Sequence, residues 1–343
     1  MIDLLVAGAG PAGLATALFA ARAGLDVTVV DPRFAGAEKP IDKACGEGLM
    51  PGAVAALAEI GVDPPGRGFR GIGYVAGRHR AEALFTSGAG RGVRRTDLQS
   101  ALLSAVLAAG VAVLPDAVEA VVQNDDFVTS AGVTARYLVA ADGLHSPIAR
   151  TLALDVAVPT GRRRWGLRRH FELEPWSDLV QVHWSDHAEA YVTPVGPGLV
   201  GVAVLSGDRR PFDDHLAAFP SLAARLAGVP GGAARGAGPL RRRTSRRVAG
   251  RVLLVGDAAG YVDALTGEGI AVSLACARGM VDCLVAGRPA DYERRWSAES
   301  RRYRAITSSL LWASRRPTLR RALVPAAQRV PWVFSAAVRQ LAR

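Results

Sequence analysis

Leu4 to Asp31 reads LLVAGAGPAGLATALFAARAGLDVTVVD. An apolar run, Leu4 to Ala7, leads into Gly8, Gly10 and Gly13 at GxGxxG spacing. A segment rich in alanine and leucine follows, then Gly24 and a second apolar run that ends at Asp31. The pattern is that of one βαβ unit that binds a dinucleotide. Gly8 permits the tight turn, Gly10 has no Cβ to block a pyrophosphate, and Gly13 lets helix and strand pack closely. Pro11 and Ala12 open the helix, whose free N–H groups meet the phosphates. Asp31 can accept hydrogen bonds from a ribose diol, which favours the unphosphorylated ribose of NAD or FAD over NADP.

The chain has 343 residues, half of them hydrophobic, and 38 glycines. That is enough for a large core and two lobes. Its net charge of +11 comes from arginine, since Lys39 and Lys43 are its only lysines. The arginines are scattered and accompany no recognised nucleic-acid module, so no nucleic-acid partner is expected. Cys45, Cys276 and Cys283 are odd in number and lack CxxC spacing. Neither a disulfide framework nor a metal site is expected. The first strand starts at the second residue and leaves no room for a signal peptide. No apolar run reaches about 18 residues without a charge or turn signal. A cytoplasmic protein is expected.

Beyond Asp31 a long loop, Pro32 to Gly48, precedes a helix expected from Pro51 to Ile60 and closed by Gly61. Loops of this length are usually functional or disordered. Ile72–Val75 and Ala83–Phe85 read as a hairpin turning at Gly77 to Arg80. Thr96 is the expected N-cap of a helix from Asp97 to Ala109. Val111–Leu114 follows as a strand, and Ala117–Val122, Phe127–Thr129 and Val133–Ala135 as a small meander. Tyr137–Ala141 is a buried strand running into Asp142-Gly143. From Arg164 to Leu205 alternation predicts antiparallel strands: Trp165–Leu173, Leu179–Trp184, Ala188–Pro194 and Leu199–Leu205. This alternation puts Val182 and Trp184 on one face and His183 on the other. A helix is expected over Phe212–Leu226, a loop over Gly228–Gly238, a buried strand over Val252–Val255 and a helix over Gly269–Ala286. The last stretch is helical in pattern, is broken by Pro317, Pro325 and Pro331, and suits a docked amphipathic tail.

Three strands, ending near Ala7, Ala141 and Val255, each run into a glycine-bearing turn. Gly8-Ala9-Gly10-Pro11-Ala12-Gly13, Ala141-Asp142-Gly143 and Gly256-Asp257-Ala258-Ala259-Gly260 resemble, in order and at similar intervals, the three signatures of the FAD-dependent monooxygenases of the p-hydroxybenzoate hydroxylase type and their relatives the geranylgeranyl reductases. The resemblance covers about residues 1 to 290. It implies an α/β fold with a Rossmann-like FAD domain, an inserted antiparallel substrate sheet and C-terminal helices. On this reading residues 1–71, 94–155 and 245–310 hold the cofactor, 72–93 and 156–244 the substrate, and 311–343 form the tail. FAD would contact Gly8, Gly10, Pro11, Ala12, Gly13, Asp31, Pro32, Arg33, Ala44, Cys45, Gly46, Arg95, Val118, Asp142, Gly143, Gly256, Asp257, Gly267, Glu268, Gly269 and Ile270.

Two departures stand out. The ribose acid is more often glutamate in these families, so Asp31 must sit closer or bind through water. The histidine that commonly follows GDAA in aromatic hydroxylases is Gly260 here. The run Gly260 to Ile270 and Cys45-Gly46-Glu47-Gly48 are more similar to the reductase version. The resemblance places the Cys45 loop near the flavin ring, where a small packing residue is the commoner role of such a cysteine. Pocket candidates are Cys45, His170, Trp184 and Tyr191.

No second GxGxxG occurs, so NADH or NADPH is expected as a docking reductant without its own domain. Flavin halogenases share the framework, but their GWxWxIP segment is missing. The expected activity is monooxygenation of a phenolic or polyketide-like molecule in secondary metabolism. The chain also resembles small oxidoreductases associated with type III polyketide synthases. Reduction of an isoprenoid or other alkene is the enzymatic alternative, and a flavin-containing membrane-surface binder the non-enzymatic one. A tail packed against the catalytic lobe is the expectation, and peripheral membrane contact through it, giving access to a lipophilic substrate, is the alternative.

Overall fold

A computed structural model of the chain describes residues 1–34, 40–159 and 163–342. Strand β1 (Ile2–Ala7), helix α1 (Pro11–Arg22) and strand β2 (Val27–Val30) form the βαβ unit. The chain then makes a first excursion through β3 (Gly48–Leu49), α2 (Pro51–Glu59), β4 (Arg67–Phe69), β5 (Gly71–Ala76), β6 (His79–Leu84) and β7 (Gly90–Gly92). It returns along α3 (Arg95–Ala108) and β8 (Ala112–Leu114), then β9 (Val122–Gln123), β10 (Val128–Ser130), β11 (Val133–Ala140) and α4 (Pro147–Thr151).

The second excursion holds β12 (Arg164–Phe171), β13 (Leu179–Trp184), β14 (Ala188–Gly196), β15 (Leu199–Ser206), α5 (Phe212–Leu216), α6 (Pro220–Leu226) and β16 (Arg235–Leu240). The chain ends with β17 (Val248–Ala249), β18 (Val252–Leu254) and helices α7 (Gly269–Val285), α8 (Tyr292–Ser314), α9 (Pro317–Arg329) and α10 (Pro331–Leu341).

One sheet runs in the order β17-β18-β11-β1-β2-β8, with β10 and β9 attached beside β11. Its central strands are parallel, and Ala7 pairs with Ala140, which pairs with Leu254 on its other side. The carboxyl ends of β1, β11 and β18 therefore open side by side. Leu4, Leu5, Val6, Leu138, Val139 and all of β18 are fully buried. Layers on both faces explain why these strands read as continuous apolar runs.

The second sheet, β16-β12-β15-β14-β13-β5-β6, is antiparallel except where β13 runs parallel to β5. Here alternation holds as expected. Ala190, Val192, Val200, Val202 and Val204 pack beneath Phe212, Leu216 and Leu222 of α5 and α6. Val180, Val182 and Trp184 face the opposite way, into a cluster with Met50, Phe69, Leu265 and the C-terminal helices. His183 lies on the other face from Trp184, where burial and nearby Arg80 and Arg225 push its pKa down to about 4.

Several expectations are corrected. Thr96 is not the N-cap of α3, which starts at Arg95 without a side-chain cap from Arg94. The Glu47 carboxylate accepts from the Arg95 N–H instead, a cap from 48 residues away. The hairpin turns at Gly77-Arg78, because β6 already begins at His79. Residues 133–140 form one strand, and the 212–226 segment is two short helices because Pro220 opens the second. The expected loop over 228–238 ends in strand β16, an edge strand whose small residues pair with β12. Part of the long loop, residues 35–39, lies outside the described residues.

The tail is docked. Helices α9 and α10 pack on β6, and Phe334 stacks on Tyr74 with ring centroids 4.6 Å apart. Glu189 is wholly buried and ties this arrangement together. It pairs with Arg164, which also reaches Asp263 at 3.2 Å, and lies 2.6 Å from Arg320 of α9 as a charge contact. Arg320 also donates to the carbonyls of Ser314 and Ala188. Removing one charge from such a knot leaves buried guanidinium groups uncompensated, at a cost of about 3–5 kcal/mol. Glu189→Gln should therefore lower stability by about that amount in chemical denaturation. The exposed pair Arg321–Asp186 is screened by solvent, and Asp186→Asn should leave the transition in place. Equal small effects of the two substitutions would refute the buried knot as the anchor of the tail.

Candidate active site

The glycine turn has the geometry its spacing implies. Gly8 has φ +113°, and a Cβ there would lie 2.5 Å from the Ala141 carbonyl oxygen. A Cβ on Gly13 would lie 1.9 Å from the Gly8 oxygen, so these two glycines are required by the fold itself. Gly10 differs, because a Cβ there would meet only Arg95 Nη2 at 3.8 Å. Gly10 is the N-cap of α1 and supplies no side chain to its N–H groups, which leaves them open to an anion.

Charged groups converge on this opening. Arg95 is buried, and its Nη1 has no partner. Burial opposes its charge, while Asp257 and Glu47 support it. Burial likewise depresses the pKa of Lys43, and Arg33 and Arg95 add to that effect. Asp257, beyond β18, is pushed upward by burial against the pull of Arg95, Lys43 and Arg242. Asp142 accepts from Ile148 N–H at 3.1 Å, but its Oδ1 is unpartnered; burial raises its pKa too. A buried cation with an unsatisfied donor, over a glycine that leaves room, fits the diphosphate of FAD.

Asp31 is nearly inaccessible and already engaged. It accepts from Ala9 N–H at 2.8 Å and from the Arg33 guanidinium at 2.6 and 2.8 Å. Burial pushes its pKa up, but the bonds from Arg33 and Ala9 outweigh that and hold it below the usual carboxylate range. A ribose diol here would compete with Arg33 for the carboxylate. Pro32 and Arg33 form a single helical turn, and Val118 is half-buried against the core.

At the start of α7, Gly267 has φ +71°, and its Cβ position lies 3.1 Å from Met50 Cε. Glu268 is buried beside it, and burial pushes its pKa to about 7 against the weaker pull of Arg302 and Thr266. Gly269 and Ile270 are half-buried in the first turn of this 17-residue helix.

The four pocket candidates divide into two pairs. Cys45 and His170 come together through Glu47, whose role the sequence reading did not assign. Glu47 is buried at φ +59°; it accepts from His170 Nε2 at 2.6 Å, and its own N–H faces Cys45 Sγ at 3.4 Å. The Arg168 guanidinium lies 3.0 Å from His170 Nδ1. Guanidinium can only donate, so Nδ1 accepts and Nε2 carries the proton. Burial pushes the Cys45 thiol up, which keeps it protonated at neutral pH.

Ala44 and Gly46 flank this cysteine, and the Gly46 carbonyl accepts from Thr193 of β14 at 2.8 Å, tying the loop to the roof sheet. Trp184 and Tyr191 belong instead to the apolar cluster. Tyr191 donates its hydroxyl to the Leu265 carbonyl at 2.8 Å. Trp184 packs edge-on against Tyr74 at 5.4 Å, and its Nε1 is unpartnered.

A model described as FAD binding domain matches residues 3–39. The menaquinone reductase of Mycolicibacterium smegmatis is 30% identical, over 86% of this chain and 79% of that protein. The chain belongs to this reductase family. Digeranylgeranylglycerophospholipid reductase 1 of Methanothermobacter thermautotrophicus is 27% identical over 78% of this chain and 73% of its own length. Among solved structures, a geranylgeranyl bacteriochlorophyll reductase-like protein of Thermoplasma acidophilum superposes with a TM-score of 0.79 at 19% identity, covering 94% of this chain and 90% of that one. The architecture is thus the FAD-dependent α/β fold with added antiparallel sheet and C-terminal helices. Like its family, the chain is an FAD-dependent oxidoreductase.

The two glycines separate folding from cofactor binding. Gly10→Val should fold with an unchanged melting transition yet purify colourless, because its side chain enters the space the diphosphate would need. Gly13→Ala should instead fail to fold or lose several degrees of stability. Asp257→Ala, losing a charge-assisted contact, should weaken FAD about tenfold to a hundredfold. Full yellow occupancy in purified Gly10→Val would show the site to be misplaced.

Proposed function

We propose that the protein reduces a carbon–carbon double bond in a lipophilic, isoprenoid-like substrate. One observation carries this reading over hydroxylation of a phenol. Two of the polar candidates that could orient a phenol hydroxyl are spent internally, Tyr191 on the Leu265 carbonyl and His170 on Glu47 and Arg168, which leaves the Trp184 Nε1–H as the unpartnered donor among the four pocket candidates. What the roof sheet offers near the Gly267 turn is apolar, with Met50, Phe69, Val180, Val182 and Trp184. The names of the relatives, reductases of menaquinone and of isoprenoid lipids, favour the same chemistry. They lend nothing to the association with polyketide synthases.

Bound FAD supplies hydride chemistry. The chain holds that cofactor with Gly10, Arg95 and Asp257, excludes water with the roof sheet and tail, and offers a proton at Cys45 Sγ. Glu47 fixes the Cys45 loop against β12 and α3 through His170 and the Arg95 N–H. Reduced nicotinamide is the proposed external reductant.

Anaerobic incubation of the reduced holoenzyme with a menaquinone or a geranylgeranyl lipid should yield a product two hydrogens heavier. In air no labelled oxygen should enter it. Cys45→Ala should keep FAD and lose about 10²-fold in turnover, the usual scale of a positioned acid. Oxygen incorporated into a phenol, with no hydrogen gained by any alkene, would replace this reading with the hydroxylase.

The tail gives such a substrate a route. The α9–α10 junction, Val330 with the first turn of α10 at Pro331, Trp332 and Val333, is exposed, with Trp332 at 71%. Arg329 and Arg339 flank it on the surface, while Phe334, Val338 and Leu341 point into the core. No described helix is long and apolar enough to cross a membrane. The pattern fits peripheral insertion into an anionic bilayer. The protein should float with phosphatidylglycerol vesicles at low salt, and Trp332→Ser should stay at the bottom. Equal flotation of both, or of neither, would refute this contact.

A further inference from the structure

Behind the Gly256–Gly260 turn, on the side of α7 that faces α8, lies a cavity of about 370 Å³ that no step above uses. It borders the cofactor opening at Asp257 and Gly269, and its other walls are the 241–247 segment and α8. Its charge is one-sided. Five arginines line it, Arg241, Arg242, Arg243, Arg247 and Arg304, while Asp257 is the sole carboxylate among the described residues that do so.

Arg242 pairs with Asp155, and Arg247 with Glu293 at 3.1 Å. Arg243 and Arg304 form no ion pair with any described carboxylate. Arg304 and Arg247 both lie against the Trp296 ring, at 4.9 and 3.7 Å from its centroid. Two guanidinium groups sharing one indole repel each other, and the Arg304 Nε is buried with no hydrogen-bond partner. Burial, then Arg247, pulls the Arg304 pKa down. Such a site is relieved by an anion that accepts several N–H bonds at once.

We infer that this cavity binds a phosphate-bearing ligand, held by Arg243, Arg247 and Arg304. Its volume exceeds that of one orthophosphate and leaves room for an organic portion. Two sources share this chemistry: a dinucleotide electron donor and the headgroup of an anionic lipid. The inference is independent of which reaction the enzyme performs.

The test uses the full-length, FAD-loaded protein and calorimetric titration with inorganic pyrophosphate, NADPH and a short-chain phosphatidic acid below its micellar concentration. Pyrophosphate should bind, weaken as salt is raised, and lose about tenfold or more in Arg304→Gln and in Arg243→Gln, as expected when a charge-assisted hydrogen bond is removed. Arg243 is exposed, so its variant keeps the proposal testable if Arg304→Gln is unstable. Both variants should retain FAD. Tighter binding of NADPH than of pyrophosphate, sensitive to both substitutions, assigns the site to the dinucleotide; the same result with phosphatidic acid assigns it to lipid. Binding unaffected by either substitution would overturn the inference. So would pyrophosphate binding only to FAD-free protein, which would make the cavity part of the cofactor's own cleft.

Discussion

Parallel pairing of β1 with β11 and of β11 with β18 is the constraint on which the molecule depends. It places three turns, separated by more than a hundred residues in sequence, on one edge of one sheet. Apolar layers on both faces fix the register, since a slip of one residue would turn Leu5 or Val139 out of its layer. The close approach of Gly13 to the Gly8 oxygen adds a second lock, because no residue with a Cβ fits there. With the edge fixed, buried Arg95 is brought together with half-buried Asp142 and Asp257 and with Lys43, which is exposed. The unsatisfied Arg95 Nη1 is a cost of that assembly, and a diphosphate, which accepts N–H bonds, would offset it.

Glu47 is one of the ties between the second sheet and the cofactor lobe, beside the Arg164–Asp263 pair and the Tyr191 bond to Leu265. Glu47 bridges three elements: it caps α3 by accepting from Arg95 N–H, it accepts from His170 on β12, and its loop is held to β14 through Thr193. Its positive φ is a strained conformation for a residue with a Cβ, tolerated because these bonds over-determine it. The cofactor loop, α3 and the roof are therefore tied together at three points. A cysteine on such a loop is held in a defined place, and its burial keeps it a thiol rather than a reactive thiolate.

Much of this was legible in the sequence, for physical reasons that also mark where legibility ends. Glycines that must lack a Cβ and strands buried on both faces leave local signatures, so the βαβ unit and the three turns could be read directly. Alternation placed Trp184 and His183 on opposite faces of β13 because the side-chain period of a strand is two. Contacts across many residues leave no such trace. Thr96 satisfied every local rule for an N-cap, yet the cap came from Glu47. The 235–238 segment looked like a loop because glycine and alanine disfavour strands in isolation, and only its partner β12 makes it one. Tyr191 and His170 could be placed on the roof from pattern alone, but not the fact that their polar atoms were already used.

That last point bears on why a framework shared with hydroxylases can host other chemistry. Fold and cofactor cradle do not set the reaction; the groups left free at the site do. Here Tyr191 and His170 spend their polar atoms on the protein's own backbone and loops, and the tail packs Leu311, Val324, Phe334, Val338 and Leu341 into the cluster beneath the sheet. Those helices stay in place through Arg320, whose charge is held by a glutamate on the roof strand that also carries Tyr191. The packed layer beneath the sheet is thus apolar, with the charges of Glu189, Arg164 and Arg320 paired with one another at its margin. Under the proposed reading, a substrate without polar handles is selected by what the pocket withholds, and it approaches along the helices whose exposed turn carries Trp332.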